Sequence, residues 1–161
     1  MHYPDFIQAK IFDIHGLVQH RNAWKLTGKT VVFTNGCFDI LHKGHVDYLN
    51  AARNFGEVLI VGLNSDDSVR RLKGEDRPVN PLEARLQVLA SLQAVSAVIP
   101  FEEDTPIQVI GSLKPDVLVK GSDYKPEDIV GGKEVQSWGG RVETIELTQG
   151  FSTSSILKKR K

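Results

Sequence analysis

The stretch TVVFTNGCFDILHKGHVDYLNAAR, from Thr30 to Arg53, decides how the chain is read. It opens with an apolar run, Thr30 to Thr34, passes through a turn of small and polar residues, and continues with Val46, Leu49 and Ala52 at helical spacing. A buried strand, a turn and a helix predicted over Gly44 to Phe55 make the opening half of a βαβ unit. The turn carries His42, Gly44 and His45. In α/β folds the carboxyl edge of the sheet gathers loops and helix starts, whose free amides favour phosphate. The two histidines, three apart, project from one side of the helix start, and Gly44 lets a ligand approach the backbone.

Val58 to Leu63, Ala97 to Ile99, Val117 to Val119 and Val142 to Ile145 repeat the strand signal, with helical patterns between them. The expected fold class is α/β: a Rossmann-like, parallel five-stranded sheet with helices on both faces. Ser65 stands where it would cap the helix after the second strand. Asn80-Pro81-Leu82-Glu83 and Thr105-Pro106-Ile107-Gln108 read as capping boxes with proline at the first helical position. A helix is expected from about Ile14 to Leu26, a less regular segment ends at Gly139-Gly140, and Ser152 or Thr153 would cap a last helix toward Lys161. Residues 1–29 read as an N-terminal helical extension and residues 30–161 as the domain that carries the chemistry, without internal repeats.

A chain of 161 residues is long enough for one core without metal or disulfide staples. Lysine plus arginine and aspartate plus glutamate both total 20, so no net field draws the protein to nucleic acid or an anionic membrane. Any phosphate chemistry must then be local. Cys37 is the only cysteine, has no partner for an internal disulfide, and is read as packing between Gly36 and Phe38. The start lacks the apolar core of a secretory signal, and no run reaches the roughly 18 apolar residues of a membrane span. The expectation is a reduced, cytoplasmic protein. No CxxC or HExxH spacing suggests an all-protein metal site.

The motif HKGH, His42 to His45, resembles the HxGH signature of the nucleotidyltransferase superfamily related to class I aminoacyl-tRNA synthetases. With the opening stretch, the strings NSDDSVRRLKGEDRPVNPLEAR, FEEDTPIQVI, PDVLVKGSDY and GFSTSSILKK are similar, in order and spacing, to the adenylyltransferase domain of bacterial ADP-heptose synthases. The likeness covers about Thr30 to Lys159. Bifunctional members add a sugar-kinase domain, for which this chain is too short, so the resemblance implies the stand-alone type.

That resemblance implies that ATP and D-glycero-β-D-manno-heptose 1-phosphate react by in-line attack at the α-phosphorus, giving ADP-heptose and pyrophosphate. His42 and His45 would hold the triphosphate, with Lys73 and Arg77 closing over it from a charged loop; these are the expected catalytic residues. The nucleotide is expected against Thr34, Asn35, Gly36, Phe38, Gly44, Lys120, Gly121, Asp123, Ser152, Thr153 and Ser154. Asp39 would either orient the acceptor or cap the turn. Arg85 would serve acceptor or triphosphate, unless it makes a plain ion pair. Relatives place an arginine just after the hydroxyl run; here Leu157 stands in that position, with Lys158 and Lys159 following. Mg2+ would arrive on the triphosphate. His2, His15 and His20 read as surface residues. A homo-oligomer is implied, without nucleic-acid or membrane partners. Two other readings stay open: a cytidylyltransferase using CTP with glycerol 3-phosphate or another polyol phosphate, and a module that binds nucleotide without turnover.

Overall fold

The computed structural model describes residues 3–124, 128–148 and 150–151. Strands β1 (Val31–Gly36), β2 (Val58–Asn64), β3 (Ala97–Phe101), β4 (Val117–Gly121) and β5 (Arg141–Ile145) form one sheet in the order β3-β2-β1-β4-β5. Every pairing is parallel. These are the five expected runs. The first four extend further at their carboxyl ends, because polar and glycine residues such as Gly36 and Gly121 stay in the ladder, opposite Leu63 and Ile145.

Around the sheet lie α1 (Tyr3–Gln8), α2 (Ile14–Leu26), α3 (Lys43–Arg53), α4 (Asp66–Lys73), α5 (Leu82–Ala90), α6 (Ile107–Leu113) and α7 (Gly132–Ser137). Successive side chains of a strand face opposite ways, so each central strand feeds two cores. Val31, Phe33 and Ile60 meet Leu17 of α2, Ile110 of α6 and Val135 of α7 on one face. Val32, Leu59 and Val61 meet Leu49 of α3 and Leu89 of α5 on the other. Each fully buried leucine of this kind stabilises the fold by roughly 1.5–3 kcal/mol relative to exposure.

Several local expectations are corrected. Val46 is 38% exposed, and Tyr48 rather than Val46 joins Leu49 and Ala52 on the buried face of α3. Ser65 does cap α4, accepting from the Ser68 amide at 3.2 Å. Neither expected capping box forms: the cap positions of α5 and α6 are Pro81 and Pro106, and neither helix start has a side-chain cap bond. The helices begin one residue later than read, and the Asn80 side chain instead donates to the Asp39 carbonyl at 2.6 Å. The short helices α1 and α7 were not anticipated, since six residues hold too little periodicity to be recognised. The helix expected from Ser152 onward lies outside the described residues.

The N-terminal extension packs directly on the sheet. Helix α2 spans the expected Ile14–Leu26, and its Leu17 is fully buried. Arg21, 4% exposed, donates to the Lys114 carbonyl at 2.8 Å and to Asp116 at 3.1 Å. Asp116 also accepts from the Val31 amide at 2.8 Å, which ties α2 to the start of β1. Ahead of α2, Ile11 makes a parallel bridge to Val98: Phe12 N–H donates to Val98 at 3.0 Å and Val98 N–H to Lys10 at 2.8 Å. His15 and His20 are exposed, His20 lying edge-on to Phe12 at 4.8 Å between centroids. No helix among the described residues is long and apolar enough to cross a membrane.

Candidate active site

Strands β1 to β3 are laid down in one direction across the sheet and β4 to β5 in the other, so the order reverses between β1 and β4. The crevice at such a reversal is where open α/β sheets hold ligands. Here it is a cleft with two overlapping lobes, of about 410 and 460 Å³. Asn35, Gly36, Cys37, Phe38, His45, Lys73, Lys120 and Tyr124 line both lobes. The first lobe adds His42, Gly44, Gly121, Asp123 and the apolar Leu147 and Phe151. Asp39, Asn64, Arg77, Thr105 and Asp128 are among the residues the second adds.

The histidine turn is built tightly. Phe38 has φ 42°, a left-handed conformation that bulky side chains seldom adopt, and its ring lies 5.3 Å from that of His45. His42 is the cap residue of α3 but makes no side-chain cap bond, which leaves the first-turn amides without a cap. The His42 and His45 rings stack with centroids 3.8 Å apart and planes 21° from parallel. In both, Nδ1 is buried without a hydrogen-bond partner among the described residues. A Cβ on Gly44 would come within 3.1 Å of His42 Nδ1 and 3.2 Å of Phe151 Cβ, so the backbone there stays bare. Burial, reinforced by the His42 charge, pushes His45 down to about 4, and burial lowers His42 as well. Both imidazoles are thus held toward the neutral form, and an anion beside them would act in the opposite direction.

Across the cleft, Lys120 bonds to the Asn35 side-chain oxygen and lies 5.8 Å from the Tyr124 ring centroid. Burial brings its ammonium down to about 8, opposed by Asp123. Lys73 lines both lobes from the end of α4, and no ion pair holds it among the described residues. The Cys37 thiol borders both lobes with its pKa raised, burial outweighing the nearby Lys73, Arg85 and Arg77. A neutral thiol of that kind is a poor nucleophile.

The structure brings together His42, His45, Lys73, Arg77, Asn35, Gly36, Phe38, Gly44, Lys120, Gly121, Asp123 and Asp39 around the cleft. It leaves two expected residues away from the lining. Thr34 is fully buried; its hydroxyl bonds to Tyr48 at 2.8 Å, whose own hydrogen goes to the Val119 carbonyl at 3.2 Å. Arg85 is 2% exposed and lies beneath the cleft, so the expectation that it meets substrate is corrected. Its guanidinium donates to the carbonyls of Asn80 at 3.0 Å, Cys37 at 2.7 Å and Asn64 at 2.8 Å, and to Asp66 at 2.7 Å. Ser152, Thr153 and Ser154 lie outside the described residues, as do Leu157 and the lysines after it. Residues not anticipated are Cys37, read as packing but bordering both lobes, with Tyr48, Tyr124, Leu147, Thr148 and Phe151 in the first lobe and Asn64, Thr105 and Asp128 among those in the second. Leu147 and Thr148 follow β5 directly, so their place at the carboxyl edge was open to the same rule that found Lys120.

A family model described as cytidylyltransferase-like matches residues 33–159, most of the chain and all of this cleft. The chain belongs to that family. The bifunctional protein HldE of Methylobacillus flagellatus is 52% identical over 150 residues, which are 93% of this chain and 31% of that protein. The bifunctional protein HldE of Coxiella burnetii is 57% identical over 132 residues, 82% of this chain and 28% of that protein. The chain thus spans about a third or less of the length of these curated relatives. Among solved structures, the lipopolysaccharide core biosynthesis protein from Thermoplasma volcanium superposes with a TM-score of 0.62 at 28% identity, over 75% of this chain and 98% of that one. The β1/β4 crevice is the candidate site for the chemistry of this cytidylyltransferase-like nucleotidyltransferase domain.

Proposed function

We propose that this domain joins ATP and D-glycero-β-D-manno-heptose 1-phosphate to give ADP-heptose and pyrophosphate. The observation that carries the reading is the stacked His42 and His45 pair, with unpaired nitrogens, at the mouth of a cleft edged by Lys73 and Lys120. Identity above 50% to proteins named HldE and the matching strings along the chain support the heptose acceptor. An oxygen of the acceptor phosphate attacks the α-phosphorus in line; the bond from that phosphorus to the bridging oxygen breaks, and pyrophosphate leaves with the electron pair. The protein positions both phosphates and stabilises the charge that develops, which is how transfers of this kind gain most of their rate.

In this reading the first lobe, with its apolar Leu147 and Phe151, takes the nucleoside, and the second, with Asn64, Thr105 and Asp128, takes the hydroxyl-rich acceptor. Magnesium enters as part of the triphosphate substrate. Among the described residues no group of three or more His, Cys, Asp or Glu stands close enough to hold an ion. A cytoplasmic location and assembly of like copies belong to the same proposal.

The test is pyrophosphate release from each pairing of MgATP or MgCTP with heptose 1-phosphate or glycerol 3-phosphate. Release is expected with ATP and the heptose. Release confined to CTP and glycerol 3-phosphate would replace this reading by the cytidylyltransferase one, which the family description favours. Nucleotide binding with no release under any pairing would leave a binding module.

A further inference from the structure

We propose that Asp39 is a positioning residue, a latch that holds residues 77–80 against the histidine turn and thereby sets Lys73 and Arg77 opposite His42 and His45. The proposal rests on the nucleotidyltransferase reading above for what those cations do, but the latch itself is geometry. Asp39 is 3% exposed. Its Oδ1 accepts from the amides of Val79 and Asn80, both at 2.9 Å. Its Oδ2 accepts from Arg77 Nε at 2.6 Å and from the Val79 amide at 2.9 Å. The Asp39 carbonyl takes the Asn80 side chain at 2.6 Å. Three donors from residues 77–80 thus hold the carboxylate, the Val79 amide being shared between its two oxygens. With its side chain 1% exposed beneath these donors, the carboxylate is placed to tie two segments together rather than to meet an acceptor hydroxyl directly.

That tie fixes one end of a segment with few other restraints. Helix α4 ends at Lys73, Gly74 follows at φ 102°, and residues 71–76 are exposed. Past the latch, Arg85 accepts no freedom either: it binds the Asn80 carbonyl from below and the Cys37 carbonyl beside Asp39. Residues 37–39 and 77–80 are thus stitched together from both sides, and Lys73, the last residue of α4, reaches the cleft where that helix gives way to the span that ends at the latch. Released at Asp39, that span loses its register with the histidines while the sheet and cores keep theirs.

The experiment compares Asp39→Asn and Asp39→Ala in the native background and in Lys73→Ala, by amide hydrogen exchange, ATP titration and turnover. Exchange at Val79 and Asn80 should quicken while the strand amides keep their protection. In the native background kcat should fall on the order of 100-fold with the acceptor KM nearly unchanged, as for loss of alignment. In Lys73→Ala the same change should cost less than about twofold, because one residue acts through the other. Equal losses in both backgrounds, or a rise in acceptor KM at constant kcat, overturns the proposal and makes Asp39 an acceptor ligand. If Asp39→Ala does not fold, Asp39→Asn preserves shape and one accepting oxygen. Should the native chain release no pyrophosphate with the heptose, the reaction assignment fails by itself; the latch is then judged on exchange and on whether the Asp39 and Lys73 effects on ATP affinity are additive.

Discussion

His45 shows how one side chain links fold and chemistry. Its ring is packed against Phe38 and His42, and the packing that orients it also keeps it neutral, with a pKa near 4. Between the ordinary 6.5 and about 4, the unfolded chain binds a proton that the folded chain refuses, so stability falls as pH drops through that window. Melting temperatures at pH 6.5 and pH 4 should therefore separate more in the native chain than in His45→Gln. The same variant should lose turnover by a barrier of roughly 3–4 kcal/mol while keeping its circular dichroism, by analogy with deletion of an oxyanion donor; undiminished pyrophosphate release would remove His45 from the reaction. Lys120 is the opposite case, a cation that burial brings to half charge at about pH 8. We expect kcat/KM for the triphosphate to decline above that pH and the decline to vanish in Lys120→Gln. Both residues were legible in the sequence because a strand end and a helix start announce the sheet edge. Arg85 was not, since a cation that reaches substrate and one that ties three carbonyls under the floor share the same one-dimensional surroundings.

At the scale of elements, the strands were read well because β-branched and leucine runs are decided by burial alone. Helix starts were read less well, because capping depends on where a side chain finds its partner. Ser65 finds the Ser68 amide, while Asn80 has Asp39 within reach and goes there instead. Removing the caps should tell the two situations apart. Ser65→Ala should lower stability by about 1 kcal/mol in urea denaturation and loosen the first turn of α4. Thr105→Ala, at a start with no side-chain cap bond, should stay within about 0.5 kcal/mol of the native value. Val46 and Tyr48 teach a related lesson: Tyr48 is buried with its hydroxyl bonded to Thr34 and to the Val119 carbonyl on the sheet, partners that spacing along the chain does not encode.

For the molecule as a whole, the sheet order could only be outlined from sequence, since alternation of strands and helices fixes a parallel sheet but not the packing of residues 1–29. The structure makes that extension part of the common core. Leu17→Ala should accordingly cost about 2–5 kcal/mol, as a buried leucine does in a well-packed interior, and urea unfolding should show a single transition with a lowered midpoint. The bridge from Ile11 to Val98 has its own implication. Along β3 the outward-facing backbone positions are Val98, whose N–H and C=O are both taken, and Pro100, which has no N–H to offer. That rim offers a foreign strand no free N–H along β3. Among the described residues β5 is the other rim of the sheet, and a contact made through one rim alone closes after two copies, so the segment that runs beside β3 works against edge-to-edge growth into a fibril.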